Sequence, residues 1–320
     1  MFRNVIRKLV HAIFDTSLSP PSSLEKDCLT ELQQSFQRLP FFETAKLSRA
    51  ESAWLDNMNR LRELVLNQDP REFLRWDVIA QTMFVDDARY LATELSYLKH
   101  LSDWKTRWKP AIRESTVGRP APYPYYPRSS GNLIHHAYHL AQFEEKTRAE
   151  IQHVDFVFEF GGGYGSMCRL IHNLGFRGKY ILFDLPHFSL LQKYFLQSIG
   201  LKVHPSGWEF LNDKDGVKCV SDIAQLASSL AGVDCSRSMF IGTWSISEAP
   251  LVVREQIMPL LTGFKSFLVA YQDKFEEIDN SIFFDNWKKD IRGVLWHNWP
   301  IAHAPSSNYL MGAVVKGLCG

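Results

Sequence analysis

Apolar residues in the second half of the chain fall into two alternating patterns. Short unbroken runs, such as residues 156–158 and 179–183, are typical of buried strands. Between them, residues 167–174 have apolar side chains three and four positions apart, which predicts a helix that ends at Gly175. Further runs that fit strands cover residues 238–242, 267–271, 293–297 and 309–315. Strands that alternate with helices in this way predict an α/β fold.

The first half of the chain carries the helical pattern alone. Residues 24–115 have apolar positions at helical spacing and follow a breaker-rich linker over residues 17–23. Residues 118–127 are rich in proline and tyrosine, which restricts the flexibility of this loop. The loop either covers an active site or links two parts of the chain. We predict an N-terminal helical region over residues 1–127 and a second domain over residues 128–320.

Residues 1–14 have an apolar face and a basic face at helical spacing. The apolar run is too broken to span a membrane. A helix of this kind lies on a membrane surface or, more often, docks on its own domain or on a second subunit. Contact with a membrane surface and a homo-oligomer are therefore both expectations for this segment.

Charge and cysteine content narrow the function classes. The net charge of +1 offers no field for a phosphate backbone, so no nucleic-acid partner is expected. The five cysteines form no Cys-x-x-Cys pair, which argues against zinc. Their odd number and the absence of a secretion signal indicate reduced thiols. We expect a cytoplasmic protein, held at the inner membrane face if residues 1–14 bind lipid.

The segment 156–166 predicts a ligand-binding loop. A strand leads into Gly161, Gly163 and Gly165, and a helix pattern follows at once. Glycines accept positive φ and bring backbone close to a ligand, and the free N–H groups at the helix start point at it. A dinucleotide fingerprint needs its third glycine one residue later, and no Gly-Lys-Ser/Thr of a P-loop follows. The carboxylate of Glu159 repels a pyrophosphate but suits a cofactor with an ammonium group.

Asp184 supports the same interpretation. It ends the next apolar run and lies 25 positions after Glu159, about one βαβ unit. An acid at the end of the second strand can accept both ribose hydroxyls. The alternative is a helix cap, since Leu185 and Pro186 open another helix. Both roles can hold together.

These residues resemble motif one and the acid after the second strand of class I S-adenosylmethionine-dependent methyltransferases. A narrower resemblance, to the sugar O-methyltransferases of bacterial surface-polysaccharide gene clusters, covers about residues 65–315. The segments that carry it are 69–76, 82–85, 158–165, 183–186 and 243–248. The resemblance implies a Rossmann-like, mostly parallel sheet with an antiparallel last strand, and makes residues 128–320 the catalytic domain. The cofactor-binding residues it implies are Glu159, Gly161, Gly163, Tyr164, Gly165, Asp184, Leu185 and Thr243.

The helix pattern before motif one carries three histidines. His135 and His139 share a face at the spacing of a metal pair, but no third ligand is apparent, so no metal site is assigned. His136 lies nearer the core and is either a satisfied buried histidine or a base at the mouth of the cofactor site. Metal use stays open, because sugar methyltransferases of other kinds use magnesium bound by carboxylates.

Downstream, the predicted strand over residues 238–242 delivers residues 243–248 to its carboxyl end, where ligands bind in open α/β sheets. Glu248 is a base candidate or a helix-terminal acid. An alcohol must lose its proton as it takes the methyl group, so a positioned base is needed. The candidate catalytic residues are His136, Glu248 and His297, and the candidate substrate residues are His135, Tyr126 and Trp244.

The sequence thus predicts S-adenosylmethionine-dependent O-methylation of a sugar hydroxyl during surface-polysaccharide synthesis. Two alternatives stay open. One is methylation of a small natural product, and the other is a non-catalytic, cofactor-binding subunit of a glycan-synthesis complex.

Overall fold

The computed structural model describes residues 20–41, 48–205 and 207–314, together with residues 10, 13 and 18. The predicted amphipathic helix over residues 1–14 lies outside this part of the chain apart from Val10 and Ile13. The chain divides into two compact units that interleave along the sequence. The helical unit comprises Met1–Tyr138, Gly163–Asn173 and Pro186–Leu201, and the sheet unit comprises His139–Gly162, Leu174–Leu185 and Lys202–Gly320. A domain boundary after residue 127 stays a prediction.

The helical unit is built from capped amphipathic helices. Ser22 and Ser48 each accept a backbone N–H in the first turn of the helix that follows, and Ser48 forms a capping box with Glu51. The described helices of this unit are α1 (Ser23–Arg38), α2 (Arg49–Asn67), α3 (Asp77–Thr82), α4 (Leu91–His100), α5 (Lys109–Ala111), α7 (Ser166–Asn173) and α8 (Pro186–Ser198), with a 3₁₀ turn at Pro70–Arg75 and a π-helix at Trp104–Trp108. Helix α6 (Gly131–Thr147) belongs to this unit up to Tyr138 and to the sheet unit from His139.

The sheet unit contains a seven-stranded sheet in the order β3-β2-β1-β4-β5-β9-β8. Its strands are β1 (Phe156–Phe160), β2 (Lys179–Phe183), β3 (Gly216–Val220), β4 (Ser238–Thr243), β5 (Ser266–Gln272), β8 (Val294–Pro300) and β9 (Ser307–Val314), and a separate ribbon pairs β6 (Lys274–Phe275) with β7 (Ile278–Asp279). Strands β1 to β5 pair in parallel, and β9 runs antiparallel to both of its neighbours. The predicted α/β, Rossmann-like sheet with an antiparallel last strand is confirmed.

Phenylalanines from the central strands form the core on one face of this sheet. Phe158, Phe240 and Phe267 are fully buried, and the rings of Phe158 and Phe240 lie 5.5 Å apart. The helices and turns of the sheet unit are α9 (Gly207–Asn212), α10 (Ile223–Ala231), α11 (Ser245–Glu248), α12 (Leu251–Ile257), α13 (Asn280–Trp287) and 3₁₀ turns at Ile151–His153, Met258–Leu261 and Lys288–Asp290. Among the described residues, no helix combines the length and the apolar character needed to cross a membrane.

Candidate functional site

The carboxyl ends of β1, β2 and β4 lie side by side in the sheet unit. Glu159 is in register with Leu182 of β2 and with Ile241 of β4. The chain leaves β1 toward β2 on one side and reaches β4 on the other, so the strand order reverses at β1. Ligands of open α/β sheets bind outside the carboxyl ends at such a point. The sheet therefore brings Gly161, Asp184 and Thr243 to one edge, which is formed by the carboxyl ends of these strands.

Glu159 is a buried acid at this edge. Its side chain is 4 % exposed, and the Tyr180 hydroxyl donates a 2.7 Å hydrogen bond to its Oε2. Burial raises the pKa of Glu159 to about 7, the Tyr180 hydrogen bond lowers it, and the Asp184 charge raises it. No ion pair to Glu159 is found among the described residues. A carboxyl group with so perturbed a pKa at the carboxyl ends of parallel strands is a candidate for a functional role.

The first two glycines of the loop are required by packing inside the sheet unit. Gly161 has φ +68°, and a Cβ there would lie 2.3 Å from the Ser245 Cβ. A Cβ on Gly162 would lie 2.6 Å from Leu182 Cδ2 and 3.1 Å from Glu159 Oε2. The Gly161 N–H donates to Phe183 O at 2.8 Å. These contacts hold the loop backbone close to Glu159.

The rest of the loop belongs to the helical unit. Gly163 has φ +57° and its carbonyl accepts a 2.9 Å hydrogen bond from Gln192 Nε2. The Tyr164 ring is 2 % exposed and packs on Phe195, and its hydroxyl accepts from Asn132 Nδ2 at 3.1 Å. Gly165 has φ +95° and precedes α7. Because the Tyr164 side chain is engaged in the core, only its backbone is left for the predicted part in cofactor binding, which stays a prediction.

Asp184 and Leu185 follow β2, and both are half-buried. The Asp184 N–H donates to Val220 O at 3.0 Å, which continues the sheet, and its Oδ1 accepts the Leu185 N–H at 2.8 Å. The carboxylate is thus oriented by its own backbone at the edge that also contains Gly161.

Thr243 and Trp244 connect β4 to α11 through a strained turn. Trp244 has φ +61°, a left-handed conformation that is costly for a residue with a bulky side chain. Its N–H donates to Ala270 O at 2.6 Å, and the Ser245 hydroxyl donates to Phe160 O. These bonds tie α11 to the ends of β5 and β1. Backbone strain that is over-determined in this way is frequent at functional sites.

Arg254 supports the same turn and was not singled out from the sequence. Its side chain is fully buried and donates to three oxygens: Ala249 O at 2.8 Å, Asn280 Oδ1 at 2.6 Å and Ser247 O at 2.5 Å. Burial lowers its pKa to about 10, so it remains charged at neutral pH. A lone arginine at the start of an apolar helix pattern is the only sequence signal, and it does not distinguish a buried side chain from an exposed one.

Glu248 ends α11 and is half-buried. Burial raises its pKa above the usual value of 4.5, and the Gln272 side chain, which lowers it, lies 3.4 Å from Oε1. Trp244 places its ring 5.5 Å from the ring of His139, and His139 Nδ1 lies 2.5 Å from the Tyr309 hydroxyl. The sheet unit thus contains an acid with a raised pKa, Glu248, and a cluster of aromatic side chains around His139.

The histidines before motif one have separate partners. His135 belongs to the helical unit, where its Nδ1 lies 2.9 Å from Glu94 Oε1, and both side chains are buried. His139 contacts Tyr309 in the sheet unit. Burial, together with the neighbouring His135, lowers the pKa of His136 to about 3. His136 is therefore neutral at pH 7 and is a weak base.

Two further candidates lie at other places. Tyr126 is half-buried in the proline- and tyrosine-rich loop of the helical unit. His297 lies in the middle of β8, the outermost strand on one side of the sheet, in register with Met311. Four strand spacings separate β8 from β1, about 19 Å. The catalytic role of His297 stays a prediction, but β8 lies far from the strand β1 that contains Glu159.

No protein-family model and no curated protein matches the sequence. Among solved structures, the chain is similar to the mitomycin 7-O-methyltransferase MmcR, with 13 % identity over 98 % of this chain and 97 % of that one and a TM-score of 0.36. It is also similar to the METTL16 MTase domain, with 8 % identity over 92 % and 93 % and a TM-score of 0.38. A third is the precorrin-6y C5,15-methyltransferase of Geobacter metallireducens GS-15, with 13 % identity over 58 % and 88 % and a TM-score of 0.36. TM-scores this low do not establish a shared family.

Proposed function

We propose that the protein is an S-adenosylmethionine-dependent O-methyltransferase that acts on a sugar hydroxyl in surface-polysaccharide synthesis. The observation that carries the proposal is the buried Glu159 with its raised pKa, next to two glycines at the carboxyl end of β1. A buried carboxyl group that lacks a cation within the described protein is complementary to a ligand that brings one. The sugar acceptor is supported by the sequence resemblance and by the aromatic ring of Trp244.

The residues of the sheet unit fit this cofactor in type and position. Glu159 would hold its ammonium group, Asp184 its ribose hydroxyls, and the backbone at Gly161 would approach it closely. When bound, S-adenosylmethionine supplies a sulfonium methyl group to a nucleophile by in-line displacement. The protein contributes the alignment of the acceptor and a base that takes the proton of its hydroxyl.

Glu248 suits the base role better than His136 does. An efficient general base has a pKa near the working pH. The pKa of Glu248 is raised toward that range, whereas the pKa of His136 is lowered away from it to about 3. Glu248 also shares the sheet unit with Glu159 and Asp184. We therefore place Glu248 as the base and keep His136 as the alternative.

The cofactor can be tested directly. We expect calorimetry to detect S-adenosylmethionine binding by the purified chain, and S-adenosylhomocysteine release when nucleotide sugars or glycan ends are added as acceptors. The release assay is run with and without a chelator, which settles metal dependence. Correctly folded protein that binds no S-adenosylmethionine would refute the proposal, and release with natural-product acceptors alone would refute the sugar substrate.

Replacing Glu248 by Gln is expected to lower turnover about 100-fold or more, since general base catalysis contributes factors of that order. Cofactor affinity should stay unchanged. In the unaltered protein, turnover should rise with pH through a pKa above 4.5, because the base must be ionised, and this limb should vanish in Glu248→Gln. Glu255→Gln, an exposed position on α12, is the control. If only His136→Ala removes the limb, the base is His136.

A further inference from the structure

A basic pocket lies in the helical unit, apart from every residue to which a role is given above except Tyr126. It has a volume of ≈ 300 Å³ and is lined by Lys105, Lys109, Pro110, Arg113, Tyr126 and Arg128. Four of these six residues are cationic and none is acidic. The whole chain is nearly neutral, with 36 Lys and Arg against 35 Asp and Glu. The pocket is thus a local concentration of positive charge and not part of a generally basic surface.

The positive charges of the pocket have no acidic partner within the described part of the chain. No ion pair to Lys105, Lys109, Arg113 or Arg128 is found among the described residues. Two acidic residues that lie close in sequence to these cations form ion pairs with other arginines. Asp103 pairs with Arg107 at 3.3 Å, and Glu114 pairs with Arg169 at 2.7 Å. Uncompensated like charges around one cavity repel one another, and an anion in the cavity would remove that repulsion.

The backbone that carries these cations is fixed. Lys105 lies in the π-helix Trp104–Trp108, and the Lys109 N–H closes that helix on Trp104 O. Such π segments are rare and often mark functional sites. The Glu114 N–H donates to Arg128 O at 2.9 Å, which joins the segment after α5 to the proline- and tyrosine-rich loop. A preorganised site loses less entropy when it binds a ligand.

Tyr126 also lines the pocket. The loop around it is held by the hydrogen bonds Tyr126 N–H to Tyr123 O and Ser129 N–H to Tyr126 O, both 3.0 Å. Lys99 places its Nζ 5.7 Å from the centre of the Tyr126 ring and adds a fifth positive charge beside the pocket. Since a cation already lies over this ring, the hydroxyl is the group of Tyr126 that we expect to contact a ligand.

We propose that the basic pocket binds the diphosphate group of a diphosphate ester. Four cations on fixed backbone exceed what a single phosphate monoanion needs, and they suit a diphosphate ester, which carries two negative charges as a diester and up to three as a monoester. Lysine and arginine are the residues that bind phosphate oxygens by charge-assisted hydrogen bonds. Resting on the proposed function, this identifies the class of acceptor: a sugar activated as a nucleoside diphosphate or carried on a lipid diphosphate.

Titration calorimetry with three diphosphates tests the site: inorganic pyrophosphate, UDP-glucose and geranyl diphosphate. We expect binding that weakens as salt is raised, because the charges are exposed and screened. Lys105→Ala/Lys109→Ala and Arg113→Ala/Arg128→Ala should each weaken binding at least about tenfold, one or more charge-assisted hydrogen bonds being lost. Tighter binding of UDP-glucose or of geranyl diphosphate than of pyrophosphate identifies the source of the diphosphate.

The control removes the same charge elsewhere on the helical unit. Lys26→Ala/Arg49→Ala alters two exposed cations outside the pocket and should leave diphosphate affinity unchanged. S-adenosylmethionine affinity should be the same in every variant. Failure of all three diphosphates to bind at low salt, or equal losses in the control and pocket variants, overturns the diphosphate site. Pyrophosphate binding by a protein that does not bind S-adenosylmethionine would overturn the proposed function alone.

Discussion

Replacing Gly161 by Ala is expected to destabilise the protein by about 3 kcal/mol and to weaken S-adenosylmethionine binding at least tenfold. The new Cβ would lie 2.3 Å from the Ser245 Cβ, so either the loop after β1 or the turn after β4 must move. Overpacking of this kind costs about 1–3 kcal/mol, and positive φ adds about 1 kcal/mol for a residue with a Cβ. The displaced backbone is the segment that would approach the cofactor. Thermal or urea unfolding measures the first effect and calorimetry measures the second.

Gly175 provides the matched control for this prediction. It has φ +103° and also lies in the sheet unit, but a Cβ there would meet no atom within 4 Å. Gly175→Ala therefore carries backbone strain without the clash and should leave cofactor affinity unchanged. Ser245→Gly removes the opposing Cβ, so the double variant Gly161→Ala/Ser245→Gly should be more stable than the two single effects predict. Equal destabilisation by Gly161→Ala and Gly175→Ala would show that the packing argument is wrong.

The fold could be predicted because its signals are local. Apolar runs mark the strands of the seven-stranded sheet except β3, which the sequence analysis missed, helical spacing marks connecting helices, and glycines mark turns. In a parallel sheet these elements bring the ends of successive strands to one edge, so Glu159, Asp184 and Thr243 could be assigned to that edge from chain order alone. The functions of these residues stay predictions, since only binding and turnover can test them.

The contacts that set the chemistry could not be predicted, because they depend on partners far apart in the chain. His135 and His139 have metal-pair spacing, but the structure places His135 Nδ1 beside Glu94 and His139 Nδ1 beside the Tyr309 hydroxyl. Neither partner has a sequence signature. In the sequence, Tyr180 is one residue of an apolar strand run. The strand register places it opposite Val157, on the face of the sheet that also carries Glu159. The pKa values of Glu159 and Glu248 follow from such burial and not from spacing.

Glu159→Gln is expected to make the cofactor-free protein more stable at pH 8 while it weakens cofactor binding. The pKa of Glu159 rises from 4.5 to about 7 on folding, so between these values the folded state holds a proton that the unfolded state has lost. The free energy of unfolding therefore falls as pH rises through this window. Above pH 7 the buried carboxylate is ionised at a cost of about 3 kcal/mol. Glutamine does not ionise, which removes this cost.

The informative quantity is the change in the free energy of unfolding between pH 5 and pH 8. Glu159→Gln should gain up to about 3 kcal/mol relative to the unaltered protein on going from pH 5 to pH 8, whatever its effect on packing. Tyr180→Phe is the companion variant: without the hydroxyl that stabilises the carboxylate, the pKa rises further and the pH-dependent loss should extend above pH 7.

Cofactor affinity should rise with pH over the range in which the free energy of unfolding falls. Because an ammonium group favours the ionised carboxyl, S-adenosylmethionine affinity should fall about tenfold for each pH unit below 7 in the unaltered protein. It should be weak and independent of pH in Glu159→Gln. A buried carboxyl group with only a structural role would show the same pH-dependent gain in stability on replacement by Gln, but its replacement would leave the affinity profile unchanged. That result would remove Glu159 from the site, whereas a gain in stability together with a loss of affinity is expected of a carboxylate kept buried for a cationic ligand.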